Sequence, residues 1–437
     1  MSRQPTKRST APGFAARAVA AALLATVVDK RQPLDATLEN DRSFAALEPR
    51  DRALARAIVG TTLRHYGTID AILASLIQKR PRGAGTLNRI LETATAQILF
   101  MGVADHAVVS VAVDQLAADR DGAHFKGLAN AVLRRIARER DTLVAEFAAP
   151  EGDTPEWLWR RWLAAYGEPT ARAIAAAHHV EPSLDLSVKS DPAGWAEKLG
   201  GIVLPTGTVR TTAGGDIPSL PGYAEGQWWV QDAAAALPAK LLGNVAGKRI
   251  ADLCAAPGGK TAALAAAGAH VTAVDISAPR LERLTTNLKR LNLTAETIAA
   301  DVLKWTPTEP YDAILLDAPC TATGTIRRHP DVVWLKRAED VATLSRIQTK
   351  MLVHAAKFLK PGGTLIYCTC SLEPEEGEAH LTDLPLTLDP VSPAEIGGLA
   401  EIVTRDGAIR TLPSHLPSET PRLAGLDGFF IMRLRKP

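Results

Sequence analysis

Between residues 14 and 145 apolar positions recur at helical spacing, as in Ala53, Ala57, Ile58 and again in Ile90, Leu91, Ala94, Ile98, while alternating β-branched runs are almost absent. The pattern predicts an all-α domain over residues 14–148 behind a short disordered tail, residues 1–13. Pro49 to Asp51 and Pro81 to Gly85 punctuate it as turns, and Phe125 to Arg140 reads as a last amphipathic helix with Arg134, Arg135, Arg138 and Arg140 on its polar face. The stretch Pro150 to Pro155 then predicts a boundary. Beyond it stand Trp157, Trp159 and Trp162 with Arg160 and Arg161, followed by short strand-like runs, SLDLSV and GIVLP, among Gly and Pro turns. These predict a small α+β connecting subdomain over residues 155–240.

From Lys248 onward the period changes. RIADLCAAPGGK, HVTAVDIS, ETIAAD, DAILLDAPC and GTLIYCTCS are apolar runs ending in small or acidic residues, separated by helical stretches such as Pro279 to Asn292 and Ala338 to Leu359. Such alternation predicts a doubly wound α/β domain over residues 241–437, with a parallel sheet and ligands at the carboxyl ends of its strands. Late extended runs near Ala408 to Leu412 and Gly428 to Arg435 would add an antiparallel edge.

Composition narrows the class. A chain of 437 residues, 46% hydrophobic and 22% charged, can bury several cores and is too long for a single small module. The net charge of +2 cannot steer a polyanion in bulk, so nucleic-acid contact must come from local clusters such as the Arg134 to Arg140 helix and Arg160, Arg161. Four cysteines, Cys254, Cys320, Cys368 and Cys370, are too sparse for a disulfide scaffold and fit a reducing, cytoplasmic compartment. Their C-x-C spacing and long separations match no standard zinc pattern, and no metal is expected. The apolar run Ala18 to Val28, behind Lys7 and Arg8, is too short to span a bilayer and lacks a small-residue cleavage pattern, so neither membrane span nor signal peptide is expected.

The candidate chemistry lies at the strand ends. The first α/β strand runs into Cys254, Ala255, Ala256, Pro257, Gly258, Gly259 and Lys260, small residues that let the backbone pass close to a ligand at a helix start. A phosphate-binding P-loop would need glycine where Cys254 stands, and G-x-G-x-x-G is missing. Asp275 ends the next strand, placed to accept from both ribose hydroxyls of an adenosine, and Asp301 closes the following one where an adenine edge would lie. A nucleoside without required phosphates suggests S-adenosylmethionine. The next two strands deliver Asp317 with Cys320, and Cys368 with Cys370, to the same side of the sheet. Thiol, carboxylate and methyl donor together suggest cytosine methylation. Carbon 5 of cytosine is a poor nucleophile until a thiolate adds to carbon 6, and a base must then remove the carbon-5 proton. Asp317 can bond the amino group of that base and, if protonated or sharing a proton, ring nitrogen 3.

These residues carry a resemblance. DLCAAPGGKT (252–261), VDIS with Arg280 nearby, AADV, DAPCTATGTIRRHPDVVW (317–334), YCTCSLEPEEGE (367–378) and DGFF (427–430) resemble, in order, the RNA 5-methylcytosine methyltransferases. The helical domain is similar to the NusB fold, in stretches such as RDRALARAIVGTTLRHYGTID, and the pairing of domains resembles enzymes acting on 16S ribosomal RNA. The resemblance implies a class I, Rossmann-like methyltransferase domain, a nucleophile at Cys370 and a release or proton-removal role for Cys320. It also implies S-adenosylmethionine contacts at Cys254 to Lys260, Asp275, Arg280, Asp301 and Asp317. DNA cytosine methyltransferases use the PC-motif cysteine as nucleophile instead, so the division of labour between the thiols rests on the family. Cys368 is expected to be packing. Arg327, Arg328 and His329 would meet phosphates or ribose around a flipped-out base, and Arg134 and Arg135 are further RNA-contact candidates. A monomer acting on 16S ribosomal RNA is expected. The alternatives are the same chemistry on tRNA, or an RNA-binding factor whose methyltransferase domain is only a scaffold.

Overall fold

The structure, a computed structural model, describes residues 12–81, 83–382 and 384–437. Lys7, Arg8 and nearly all of the expected tail lie outside the described residues. The chain forms two compact units, one running to Trp159 and taking in His329–Lys336, the other comprising Arg160–Arg328 and Arg337–Pro437.

The first unit is helical. Helices Phe14–Lys30 and Pro49–Arg64 bury Leu23, Leu24 and Val27 with Ile58, Val59 and Leu63. Helices Leu87–Phe100, Asp105–Ala118 and Lys126–Arg138 share a second core through Leu91, Ile98, Val108, Leu116, Leu133 and Ile136. At roughly 1.5–3 kcal/mol per fully buried aliphatic side chain, these stripes outweigh the modest helix propensity of the β-branched positions. His329–Lys336 completes the unit from far along the chain: Asp331 Oδ2 accepts from the Leu34 N–H (2.9 Å) and Trp334 Nε1 donates to the Leu63 carbonyl (2.8 Å). No local sequence pattern announces that insertion.

The second unit holds two sheets. The smaller is antiparallel, ordered β2 (Gly201–Val203), β3 (Val209–Thr211), β1 (Leu184–Val188), β4 (Trp228–Val230). The larger contains β5 (Arg249–Leu253), β6 (His270–Asp275), β7 (Glu296–Ala299), β8 (Tyr311–Asp317), β9 (Leu359–Thr369), β10 (Thr387–Leu388), β11 (Ile409–Thr411) and β12 (Phe429–Arg435). Its order is β10-β12-β9-β8-β5-β6-β7, with β11 on β12. Strands β5 to β9 are mutually parallel, and β12 runs antiparallel to β9. The expected Rossmann-like α/β domain and its antiparallel edge are therefore present. Ile250, Leu253, Val274, Leu315 and Ile366 lie in hydrophobic cores on the two faces, which is why these strands read as continuous apolar runs. From β5 the chain proceeds outward to β6 and β7, then returns to β8 and β9 on the other side. That reversal opens a crevice at the carboxyl ends of β5 and β8, the place where open α/β sheets bind ligands. Among the described residues no helix is long and apolar enough to cross a membrane.

Candidate active site

The turn from β5 into helix Gly259–Ala266 is shaped by two left-handed residues, Cys254 (φ 61°) and Gly258 (φ 102°). A Cβ on Gly258 would lie 2.6 Å from the Leu284 side chain, so only glycine lets the loop pack there. Asp275, ending β6, braces the turn: Oδ2 accepts from the Ala256 N–H (3.1 Å) and Oδ1 from the Ser277 N–H (2.9 Å). Arg280 donates to the Ala256 carbonyl and lies 3.6 Å from Asp275. Asp301 caps the turn after β7 by accepting from the Leu303 N–H (3.0 Å). At the end of β5, buried Asp252 accepts from Thr261 Oγ1 through Oδ2, while its Oδ1 has no hydrogen-bond partner among the described residues. Burial pushes this carboxyl up to about 7, against the hydrogen bond from Thr261. Close-packed backbone, strand-end carboxylates and an orphaned buried oxygen fit a polar nucleoside ligand carrying hydroxyl and amino groups.

Lys260 points from the same turn into the crevice, 8% exposed, and its Nζ donates to Asp317 Oδ2 at 2.6 Å. Burial alone would lower the lysine, but the carboxylate of Asp317 more than compensates and holds it above its ordinary value. The Cys368 thiol donates to the other oxygen, Asp317 Oδ1 (3.4 Å). Cys368 is fully buried, and burial together with Asp317 drives its thiol up, so it stays protonated. It is more than packing, since with Lys260 it fixes both oxygens of Asp317.

Beyond Asp317 the two remaining thiols meet, Cys320 Sγ 3.3 Å from Cys370 Sγ. The loop of Cys320 is tied to the end of β9 by the Gly324 N–H donating to the Cys370 carbonyl (3.0 Å), and the Gly428 N–H donates to the Gly324 carbonyl (2.8 Å). Backbone approaches this closely because Gly324 has no side chain: a Cβ there would sit 1.9 Å from the Gly428 carbonyl oxygen. The hydrogen bond with Cys370, burial and the neighbouring Glu376 all raise Cys320 well above the ordinary thiol value. An acidic pair, Glu373 and Glu376, is buried beneath the thiols. Glu376 accepts from Thr321, Ser371 and Gln348; Glu373 accepts from Arg161 and from Trp162 Nε1 (3.2 Å).

Comparison with known proteins bears on this arrangement. The 16S rRNA methyltransferase RsmB/F family matches residues 239–435, and the NusB family matches residues 15–138. Ribosomal RNA small subunit methyltransferase B of Klebsiella pneumoniae is 35% identical over 406 residues, covering 87% of this chain and 93% of that protein. Its namesake in Vibrio cholerae is 36% identical over 383 residues, covering 84% and 88%. The chain belongs to the RsmB/F family. As an RsmB/F protein it is an rRNA methyltransferase, and its cofactor is S-adenosylmethionine. The crystal structure of PH0851 shares the fold, with a TM-score of 0.76 and 22% identity over 98% of this chain and all of that one. A methyltransferase homologue of Pyrococcus horikoshii is 28% identical, with a TM-score of 0.53 over 64% of this chain and 94% of its own.

The crevice of this RsmB/F chain gathers Cys254 to Lys260, Asp275, Arg280, Asp317, Cys320 and Cys370 through the contacts above, with Asp301 on the neighbouring strand end. Two expected RNA contacts stand differently. Arg327 is 3% exposed, and its Nε donates to Asp427 (2.8 Å). Arg328 donates to Asp427 and to Asp232 (2.6 Å), beside Asp185, which pairs with Arg210. Their guanidiniums are paired with buried carboxylates, so in this structure they hold the loop. Arg161 likewise pairs with Glu373 and Glu375. His329 belongs to the helical unit, 3.2 Å from Asp35. Arg134 and Arg135 remain exposed, bonded among the described residues to Asn130 on their own helix and to Glu139 at its C-cap. Sequence reasoning missed Glu373, Glu376 and the pairing of Lys260 with Asp317. The acidic run PEEGE looks like solvated surface, and nothing local marks which of its carboxylates turn inward.

Proposed function

We propose that this enzyme methylates carbon 5 of a cytosine in 16S ribosomal RNA, in the cytoplasm, with Cys370 as nucleophile, Cys320 as the thiol that frees the product and Asp317 as the group that holds the base. The observation that carries the reading is the pair of sulfurs 3.3 Å apart beside a carboxylate fixed by Lys260. S-adenosylmethionine, held by Cys254 to Lys260, Asp275, Arg280, Asp301 and Asp317, supplies the methyl group.

The chain's own groups account for the remaining steps. Cys320, kept protonated, has an S–H that can serve as donor in its contact with the Cys370 sulfur. Asp317, its carboxylate turned by Lys260 and Cys368, accepts from the cytosine amino group and, by sharing a proton with ring nitrogen 3, offsets the negative charge that sulfur brings to the ring as it adds to carbon 6. Two thiols this close cannot both ionise readily. Once the Cys370 sulfur is bonded to carbon 6 its charge is gone, and that constraint on Cys320 lifts. Cys370 gives its S–H proton to solvent before it attacks; after methyl transfer Cys320, its own proton passed to solvent, takes the proton from carbon 5, and the bond between carbon 6 and sulfur breaks to return Cys370 as thiolate.

The test is a map of 5-methylcytosine in 16S ribosomal RNA and tRNA from cells with and without the protein, paired with methylation of both RNAs by purified enzyme. One 16S cytosine losing its mark, and being restored in vitro, is the expected result. A tRNA site lost instead would shift the substrate, and no site lost in either RNA would favour a non-catalytic RNA-binding factor.

A further inference from the structure

We infer that Glu376, whose carboxylate is bound by Thr321, Ser371 and Gln348, is a positioning residue that locks the Cys320 and Cys370 loops together and thereby sets how fast the covalent adduct is resolved. The inference rests on the proposed roles of the two thiols. Glu376 is fully buried, and its side chain receives only donors. The Thr321 N–H reaches both of its oxygens (3.0 and 3.2 Å), the Thr321 hydroxyl reaches Oε2, Ser371 Oγ donates to Oε2 (2.5 Å) and Gln348 Nε2 donates to Oε1 (3.1 Å). Thr321 directly follows Cys320, and Ser371 directly follows Cys370. One carboxylate thus spans the two loops at the residues adjoining the two sulfurs.

The surrounding bonds reinforce the lock. Gln348 also donates to the Pro319 carbonyl (2.9 Å), just before Cys320, and its Oε1 meets His380 Nε2 (3.0 Å). The Glu376 carbonyl accepts from Tyr367 (2.9 Å) and Thr369 (3.0 Å), so the same residue grips the last turn of β9. The two sides are not equally dependent on it. Ser371 is held independently, through the Glu373 N–H donating to its hydroxyl (3.0 Å) and Arg410 donating to its carbonyl. Thr321 has its N–H on Glu376 and its hydroxyl shared between Glu376 and Ser371. Loss of the carboxylate therefore frees Cys320 more than Cys370.

The substitution Glu376→Gln tests this with almost no change in volume. It replaces an acceptor-only group by one with an NH2 facing hydrogen-bond donors, leaving buried donors unmet. A sub-ångström to 1 Å displacement of Cys320 predicts a release step slowed ~100-fold, with a denaturation-resistant protein–RNA adduct accumulating and S-adenosylmethionine affinity within about twofold of the parent by calorimetry. A purely structural role would lower thermal stability and overall activity without trapping adduct. The arms Cys320→Ala and Cys370→Ala run alongside. Adduct with the first and none with the second upholds the thiol assignment; failure of Cys320→Ala to trap adduct sinks that assignment whatever Glu376→Gln does. If Cys320→Ala traps adduct and Glu376→Gln releases product at the parental rate, or loses activity with no adduct, the positioning role is overturned. Thr321→Val, which removes one donor and keeps the carboxylate, gives the same readout if Glu376→Gln does not fold: adduct above parental level supports the lock, and parental release refutes it.

Discussion

A carboxyl group sealed from water keeps its proton, and Asp252, fully buried at the end of β5, is such a group. Its folded value of about 7 stands above the ordinary 3.8, so the native state binds the proton more tightly than the unfolded chain. The resulting stability is complete below the unfolded value and is lost as pH rises towards and through the folded one. Asp252→Asn cannot ionise and escapes that loss. Urea-unfolding midpoints at pH 5 and pH 8 should therefore show the variant gaining on the parent at the higher pH; a difference independent of pH would mean that Asp252 titrates normally. Residue types at strand ends were the legible part of the site: Asp275, Asp317, Cys320 and Cys370 stand where their motifs place them. What each one bonds to was not legible. The partner of Lys260 lies 57 positions away and that of Thr321 lies 55 positions away, distances over which no spacing rule operates.

At the scale of elements, the turn after β5 works because glycine occupies its left-handed position against Leu284. Gly258→Ala combines a strained backbone with a clash, for a cost of about 1–3 kcal/mol, and should weaken S-adenosylmethionine binding at least ~10-fold by calorimetry, since 1.4 kcal/mol of site distortion already gives that factor. Unchanged affinity would show that the turn does not shape the cofactor cradle. Strands β5, β6, β8 and β9 were readable because burial makes them largely apolar runs, whereas β7, mostly exposed, carries Glu296 and Thr297. Strands β3, β4 and β10, of three, three and two residues, are too short for alternation to register, and only their partners in the sheet define them. Arg327 and Arg328 were expected to meet RNA, yet both are paired with buried carboxylates. Charge says nothing about burial until its counter-charges, here Asp232 and Asp427, are known.

For the molecule as a whole, a net charge of +2 leaves RNA affinity to local clusters. Exposed Arg134 and Arg135 are candidates for binding phosphate, while Arg327 and Arg328 are already neutralised. Replacing Arg134 and Arg135 by Ala should make the dependence of log affinity on log salt shallower by ~0.7 for each phosphate no longer neutralised, measured by anisotropy with a 16S fragment across a salt series. Arg328→Lys should leave that slope unchanged. An unchanged slope in the double variant would make both arginines plain solvent charges. The helical unit ends at Trp159, near the turn-rich stretch Pro150 to Pro155, and the change in hydrophobic period near residue 248 marks where the larger sheet begins within the second unit. The assignment of His329–Lys336 to the helical unit did not, because it depends on Leu34 and Leu63, some 270 to 300 residues earlier in the chain.

The central claim, that sulfur at Cys370 attacks the pyrimidine while Cys320 releases it, is reached most directly by trapping Cys320→Ala on a 16S fragment with S-adenosylmethionine and sequencing the nucleotide-bearing peptide by mass spectrometry. The account predicts a methylated cytidine linked to Cys370. The same nucleotide linked to any other cysteine, or its complete absence with an otherwise folded protein, would contradict it.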